Sequence, residues 1–213
     1  MIKIPTQAQL DAAAGVFADD WALVDDVLYG VCRQYPTHTV RGQVVAKVAI
    51  IGRAYAASVE RCISPPPGKQ ALMLAADHLF AHGEEVDDIV ETISLADEHL
   101  TEEGMALIVE QHGRLVKLIA ALPECSRRPR SFASKYLHFH HPVVPIFDSY
   151  AVEHLGKIVR WDKDIVPFAK PKGADPEYWD FCVRLFRLYR KCRQAGLEVT
   201  TKQLDTFLWE IPT

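Results

Sequence analysis

Hydrophobic residues recur at every third or fourth position through most of the chain, which is the spacing of amphipathic helices. The first such stripe runs through residues 7–35 and predicts one long helix that Pro36 ends. Its apolar positions are Leu10, Ala14, Phe17, Trp21, Val24, Leu28 and Val31. A second stripe in residues 41–63 is strongly apolar and predicts a central helix, in which Lys47 and Arg53 are polar exceptions that need partners.

The same periodicity predicts seven further helices. Their segments are 70–83, 84–97, 101–122, 131–140, 148–161, 177–196 and 200–211. Thr101 stands where an N-cap belongs, and the Pro-rich break at 64–69 is a candidate boundary between two lobes. Only the short run 142–147 resembles a strand. The sequence therefore predicts an all-α fold, a compact bundle of about eight or nine helices forming a single helical domain over residues 1–213.

Composition narrows the classes of protein that fit. Hydrophobic residues make up 49% and charged residues 24%, as in a soluble globule, and no apolar run is long enough to cross a bilayer. The N-terminus has no basic region followed by an apolar stretch, so we expect no secretory signal, a cytoplasmic location and no membrane partner. The five cysteines are scattered without a C-x-x-C pair, which argues against a disulfide framework or a zinc knuckle.

The net charge of −4 is divided unevenly along the chain. Residues 1–110 carry 7 Lys and Arg against 17 Asp and Glu, whereas residues 111–213 carry 17 against 11. The basic half contains the runs SRRPR and RLFRLYRKCR. A basic face on an acidic protein is a general indication of phosphate or nucleic acid. The alternative is a solvated face that pairs with the acidic half.

Residues 131–150, SFASKYLHFHHPVVPIFDSY, gather many groups that can do chemistry. As a helix, 131–140 carries a polar stripe that is made of small hydroxyls, one amine and one imidazole. The stripe consists of Ser131, Ser134, Lys135 and His138. Pro142 and Pro145 then predict a short extended link, which delivers Asp148 to the start of the next helix as a natural N-cap.

This segment resembles a block, S-F-A-S-K-Y-L-H-F-H-x-P followed by P-I-Y/F-D-S, of uncharacterised bacterial all-α proteins. More distantly, it resembles the catalytic corner of the helix-hairpin-helix DNA glycosylases. In that superfamily a lysine opens one helix, and an aspartate follows a proline-containing link at the start of the next. Lys135 matches the Schiff-base lysine and Asp148 the essential aspartate, while CSRRPR stands where the hairpin would be. The L-P-G-x-G hairpin is absent, and the interval of 13 residues between lysine and aspartate is shorter than in typical members.

The resemblance implies a DNA-binding hydrolase of base excision repair that needs no cofactor. Lys135 would attack the sugar of an extruded nucleotide, and Asp148 would stabilise the positive charge that develops. The implied phosphate contacts are Arg127, Arg128 and Arg130. The candidate substrate-binding residues are Ser131, Ser134, Tyr136, His138, Tyr150, Lys47 and Arg53, with Tyr55 and Trp161 as further groups that could reach the pocket.

Two other functions stay open at this point. A helical module that binds nucleic acid or protein without catalysis would keep the same corner as a structural element, with Lys135 on the surface and Asp148 as a helix cap. A metal-assisted hydrolase would need His138, His141 and Asp148 to converge on one ion, since His138 and His140 face different sides of a helix. The tryptophans on apolar stripes, predicted to be core residues, are Trp21, Trp179 and Trp209.

Overall fold

The chain folds as an all-helical protein. The computed structural model describes residues 2–57, 59–96 and 100–209, and the side chains of 16–20 lie outside this description. Ten α-helices lie in these ranges: α1 Gln7–Asp20, α2 Ala22–Gln34, α3 Arg41–Ala54, α4 Ala71–Ala81, α5 Gly83–Ile93, α6 Glu102–Ala120, α7 Arg130–His140, α8 Ser149–Ile158, α9 Pro176–Gln194 and α10 Thr201–Trp209. A 3₁₀ turn, Val59–Arg61, joins α3 to α4. None of these helices is both long enough and apolar enough to cross a bilayer.

The all-α prediction is confirmed for the described ranges, where 142–147 is not a strand. The prediction of one helix over 7–35 is wrong, because the helix breaks at Trp21. The break lets α1 pack against α10 while α2 packs against α3 and α7. The buried face of α1 also differs from the predicted stripe, because Ala13 is buried and Ala14 is exposed. Phe17 and the predicted helix ends at 97 and 210–211 lie outside the described residues.

Two of the three tryptophans predicted to be core residues lie at the surface. Trp21 is 42% exposed and Trp209 is 47% exposed, whereas Trp179 is partly buried against the core. Each exposed ring contacts another aromatic ring: Trp21 lies 5.9 Å from Tyr55, and Trp209 lies 4.8 Å from Tyr150, between ring centroids. The apolar stripes therefore predicted which face of each helix packs, but not that tryptophans at helix ends are exposed to solvent.

One hydrophobic core receives buried side chains from all ten helices, and it includes residues on both sides of the break at 64–69. Just before the break, Ile63 forms an isolated antiparallel bridge with Cys125. The amide of Ser64 donates to the carbonyl of Glu124 at 2.9 Å beside that bridge. These contacts hold the segment before α4 against the loop that leads into α7.

Two glycines allow backbone segments to approach each other closely. A Cβ on Gly83, the first residue of α5, would lie 2.7 Å from the carbonyl oxygen of His38. A Cβ on Gly113, within α6, would lie 2.6 Å from the carbonyl oxygen of Gly173. Both distances are shorter than any ordinary carbon–oxygen contact, so a side chain at either position would displace the backbone.

Side-chain caps fix the starts of at least five of the described helices, with Thr6 and Thr200 capping α1 and α10. Thr101 accepts a hydrogen bond from the amide of Gly104 at 3.0 Å at the start of α6, which confirms the predicted cap. Asp148 does the same for α8, again as predicted, and Asp175 accepts from two amides of α9. The oxygen of each cap satisfies an amide that has no partner within its helix.

Candidate active site

The corner between α7 and α8 is clamped by hydrogen bonds to its proline-containing link. The Ser134 hydroxyl donates to the carbonyl of Ser131 at 3.1 Å and accepts from the amide of Phe147 at 3.0 Å. From α9, the Tyr178 hydroxyl donates to the carbonyl of Pro145 at 2.9 Å. The polar stripe of α7 therefore serves first to hold the link, and Ser134 is a structural residue rather than a substrate contact.

Lys135 lies beneath this corner with 3% of its surface exposed. Its Nζ donates to the carbonyl oxygen of Tyr55 at 3.1 Å and lies 3.9 Å from Oδ2 of Asp148. It also lies 5.6 Å from the centre of the Tyr55 ring. Burial lowers the pKa of this amine below its ordinary value, and the neighbouring Asp148 carboxylate opposes the shift. The structure thus brings together the two residues that the sequence predicted to be catalytic.

The carboxylate of Asp148 is held in one orientation by two donors. Its Oδ1 accepts from the amide of Ala151 at 2.9 Å, and its Oδ2 accepts from Nε1 of Trp209 at 3.1 Å. The group stands at the N-terminal end of α8, where the helix dipole is positive. Because Oδ2 is the oxygen that faces Lys135, the Trp209 indole orients the side of the carboxylate that meets the amine.

A second set of charged groups lies behind Tyr55. The Tyr55 hydroxyl donates to the Asp25 carboxylate and accepts from Nζ of Lys202 at 2.9 Å. Lys202 also lies 2.9 Å from Asp25 Oδ2 and 4.0 Å from Asp205 Oδ2. Burial raises the pKa of Asp205 to about 7, against the opposing effect of Lys202. An open cleft of about 240 Å³ leads to this set from the surface between α1, α2 and α10.

Of these groups, only Tyr55 was predicted to lie near the catalytic residues. Asp25 and Asp205 read as ordinary polar positions of amphipathic helices, and Lys202 has no motif around it. Trp209 was predicted only as a core residue. Tyr55 was named because it lies on the apolar stripe of 41–63, one turn beyond the buried Ile51.

Exposed aromatic rings stand on both sides of the buried Lys135–Asp148 pair. On one side Trp21 contacts Tyr55, whose ring faces the amine. On the other side Trp209 contacts both Asp148 and Tyr150, and Tyr150 is 51% exposed. Tyr150 is therefore the predicted substrate-binding aromatic that the structure places beside the pair.

Two predicted substrate-binding residues belong to a separate buried cluster. Lys47 is fully buried and donates to the carbonyls of Tyr35 and Thr37 at 3.0 and 3.2 Å. The Tyr136 hydroxyl, also fully buried, donates to Nε2 of His38 at 2.7 Å. Burial lowers the pKa of His38 to about 4, so its neutral ring donates from Nδ1 to Asp87. The contacts of these two residues are thus with His38 and its neighbours and not with Lys135 or Asp148.

The remaining predicted contacts are also engaged elsewhere. Ser131 contributes its carbonyl to Ser134, and the exposed Arg53 lies 3.7 Å from Glu60. Arg128 and Arg130, predicted to hold phosphates, contact the buried Asp175 carboxylate at 3.1 and 2.6 Å. Their charges neutralise the N-cap of α9, so we correct their role to a structural one. Arg127 is exposed, and its carbonyl accepts from the Cys125 thiol.

The histidine cluster does not form the alternative metal site. His138 is fully buried, and its Nδ1 donates to the carbonyl of Val144 at 2.7 Å while its Nε2 accepts from the Tyr29 hydroxyl at 2.6 Å. Burial lowers the pKa of His138 to about 3, which keeps the ring neutral. Both ring nitrogens are thus occupied by protein groups. In the part of the chain that the structure describes, no three His, Cys, Asp or Glu side chains are arranged to hold a metal ion.

Arg128, Arg130, Ser134 and His138 are thus held by contacts within the protein. The candidate active site consists of the buried Lys135 amine, the fixed Asp148 carboxylate and the aromatic rings beside them. Comparison with known proteins gives no further guide to this geometry: no protein-family model, curated protein or solved structure matches the chain.

Proposed function

We propose that this protein is a DNA N-glycosylase that uses Lys135 as its nucleophile and Asp148 to stabilise the sugar cation. The observation that carries the proposal is the buried Lys135 amine 3.9 Å from a carboxylate that two donors hold in place. A surface lysine beside a helix cap would be hydrated and mobile. A lysine that burial shifts toward its neutral form is instead suited to nucleophilic attack.

The reaction divides between the two groups. The neutral amine of Lys135 bonds to C1′ of the sugar as the bond from C1′ to the base breaks, and the base leaves with the electron pair and a proton. Asp148 stabilises the positive charge on the sugar before the new bond is complete. The base takes its proton from solvent, so the bound nitrogen is left as an ammonium. One of its protons then moves to the ring oxygen O4′ as the C1′–O4′ bond breaks, which opens the sugar ring and leaves an iminium that borohydride reduces to a stable amine.

The exposed aromatic rings supply a surface for the extruded base. An enzyme can reach C1′ of a stacked nucleotide only after rotating it out of the duplex, and aromatic faces offset part of the lost stacking. Tyr150 and Trp209 form one such surface next to Asp148, and Trp21 with Tyr55 forms another next to Lys135. A module that only binds DNA has no need of a desolvated amine between them.

Borohydride trapping tests the proposal. The protein is incubated with a panel of duplexes that each carry one damaged or modified base, and covalent adducts are separated from free DNA. We expect an adduct with at least one duplex, and its complete loss in Lys135→Met. The matched control is Lys47→Met, which removes another buried amine and is expected to keep the adduct.

Asp148→Asn separates catalysis from helix capping, because an asparagine oxygen can still accept from the Ala151 amide. We expect this variant to fold and to trap at least about 100-fold more slowly, the range typical of losing one electrostatic stabiliser. An adduct that persists in Lys135→Met would refute the proposal. So would the absence of adduct and base release from every duplex, and DNA binding under those conditions would favour the non-catalytic module.

A further inference from the structure

A basic surface lies at the far end of α8 from Asp148. Two adjoining clefts of about 420 and 400 Å³ open there, between the end of α8, the segment 160–167 and α9. They share Ile2 and Arg187 as lining residues, so they form one continuous depression. We call it the α8–α9 cleft.

Cations dominate the lining of the α8–α9 cleft. They are Lys157, Arg160, Arg187, Arg190 and Lys191, and they face only two acids, Asp162 and Asp164. Arg190 and Lys157 have carboxylate partners on neighbouring turns or helices, at 2.7 and 2.9 Å. Arg160 and Lys191 are exposed, and neither has an ion-pair partner among the described residues. The cleft therefore carries excess positive charge that the protein itself does not neutralise.

Arg187 lies where the two halves of the cleft meet. Its Nη1 donates to the carbonyl of Arg160 at 3.0 Å, and its Nε has no hydrogen-bond partner among the described residues. A guanidinium has five N–H donors in a planar fork that matches the oxygens of a phosphate. The aromatic ring of Trp161, 39% exposed, stands in the same lining. A guanidinium beside an aromatic face suits a sugar–phosphate chain better than a small inorganic anion.

The cleft and the Lys135–Asp148 pair are connected along one exposed stripe of α8. Tyr150, Glu153 and Lys157 are three and four positions apart, so they share one face of the helix. Tyr150 adjoins the aromatic surface beside Asp148, and Lys157 lines the cleft. At 1.5 Å per residue, nine residues of helix separate Asp148 from Lys157 by about 13 Å. That is about four base steps of duplex DNA.

We propose that the α8–α9 cleft binds consecutive phosphates of one DNA strand, about four nucleotides from the extruded base. The inference rests on the proposed function for the identity of the polyanion. It replaces Arg128 and Arg130, which Asp175 occupies, as the phosphate contacts of this protein. It also gives a role to the basic run RLFRLYRKCR of α9 and to Trp161, which the structure places in this cleft and not beside Lys135.

The test is the salt dependence of binding to an undamaged duplex, measured by fluorescence anisotropy. The double variant Arg160→Gln with Lys191→Gln removes the two unpaired cations without breaking an ion pair in the described structure. We expect binding about tenfold weaker, and a slope of log affinity against log salt smaller in magnitude by about two, since each phosphate contact contributes about 0.9. The matched control, Lys69→Gln with Lys117→Gln, loses the same charge from other exposed positions and should leave the slope unchanged.

Glu153→Gln changes the net charge in the opposite direction, at a position on α8 between the α8–α9 cleft and the Lys135–Asp148 pair. It removes the acid from the shared stripe of α8, so we expect binding tighter by about twofold to fivefold. If the cleft double variant binds with an unchanged slope, or if the control pair reduces it equally, the cleft proposal is refuted even where Lys135 traps DNA. A reduced slope without any trapping would refute the glycosylase and leave the cleft standing.

Discussion

A substitution of Asp205 is the most direct single test of the electrostatics around Lys135. Burial raises the pKa of Asp205 from an ordinary 3.8 to about 7, and its Oδ1 has no hydrogen-bond partner among the described residues. Its charge also raises the pKa of Lys135, and so holds that amine toward its inert, protonated form. Asp205→Asn keeps the shape of the side chain and removes only the charge. We expect this substitution to stabilise the protein and to increase the reactivity of Lys135.

The stability effect follows from proton linkage. A carboxyl whose pKa is raised on folding binds more protons in the native state between the two values, so stability is lost as pH rises from 3.8 through about 7. Each pKa unit corresponds to about 1.4 kcal/mol, which gives about 4 kcal/mol over the whole interval. About 3 kcal/mol of this falls between pH 5 and pH 8.5. Asp205→Asn should abolish that loss.

Denaturant unfolding at pH 5 and at pH 8.5 measures this loss of stability. At pH 5 native Asp205 is mostly protonated, so the wild-type protein and Asp205→Asn differ little in the native state. At pH 8.5 the variant should gain about 3 kcal/mol relative to its difference at pH 5. Comparing the two differences cancels all other groups that titrate equally in both proteins.

Trapping gives the second readout. With the negative charge gone, the pKa of Lys135 falls further, a larger fraction of the amine is neutral, and the rate of adduct formation at pH 7 should rise. A variant whose stability relative to wild type is the same at pH 5 and pH 8.5 would refute the assignment of a buried, mostly protonated Asp205. A variant that is stabilised but traps more slowly would show that Asp205 takes part in the reaction.

Two further predictions concern packing and the orientation of the carboxylate. Gly83→Ala should lower the free energy of unfolding by about 1–3 kcal/mol, because its Cβ would meet the carbonyl of His38 at 2.7 Å. Gly30→Ala, in α2 with nothing within 4 Å of the new Cβ, should instead raise stability by up to about 1 kcal/mol in the same denaturant assay, and a destabilised Gly30→Ala would contradict this account. Trp209→Phe keeps a ring but removes the hydrogen bond to Asp148, so trapping should slow by about tenfold with duplex binding unchanged, whereas weaker binding at an unchanged trapping rate would show that the indole only stacks.

The local parts of the site could be predicted because the residues that form them lie close together in the sequence. Helix α7, its proline link and the Asp148 cap involve residues within about one or two turns of each other, and Ser134 reaches Phe147 over 13 positions. Helical period and cap preference are sufficient at that range. The same rules could not say which neighbour each side of α7 meets, and the contact of Tyr136 with His38 was therefore not predicted.

The distant partners could not be predicted from one sequence. Tyr55 meets Lys202 across 147 positions and Asp148 meets Trp209 across 61, and no periodicity relates such pairs. The break at Trp21 had the same origin, since packing of α1 on α10 competes with continuing one helix. Arg128 and Arg130 had the composition of a phosphate site, but a buried carboxylate from α9 had already taken them. A charged residue in a sequence is able to form an ion pair, but only the fold shows which group it pairs with.

The long-range hydrogen bonds to α10 also bear on how a folding chain acquires reactivity. Contacts that close large loops form late, whereas the corner between α7 and α8 is local enough to form early. Until α10 docks, water reaches the Lys135 amine, keeps it protonated and leaves it inert toward a sugar. Under the proposed mechanism, partly folded copies would therefore not react with DNA. Recovery of adduct formation during refolding should then lag behind the recovery of helical circular dichroism.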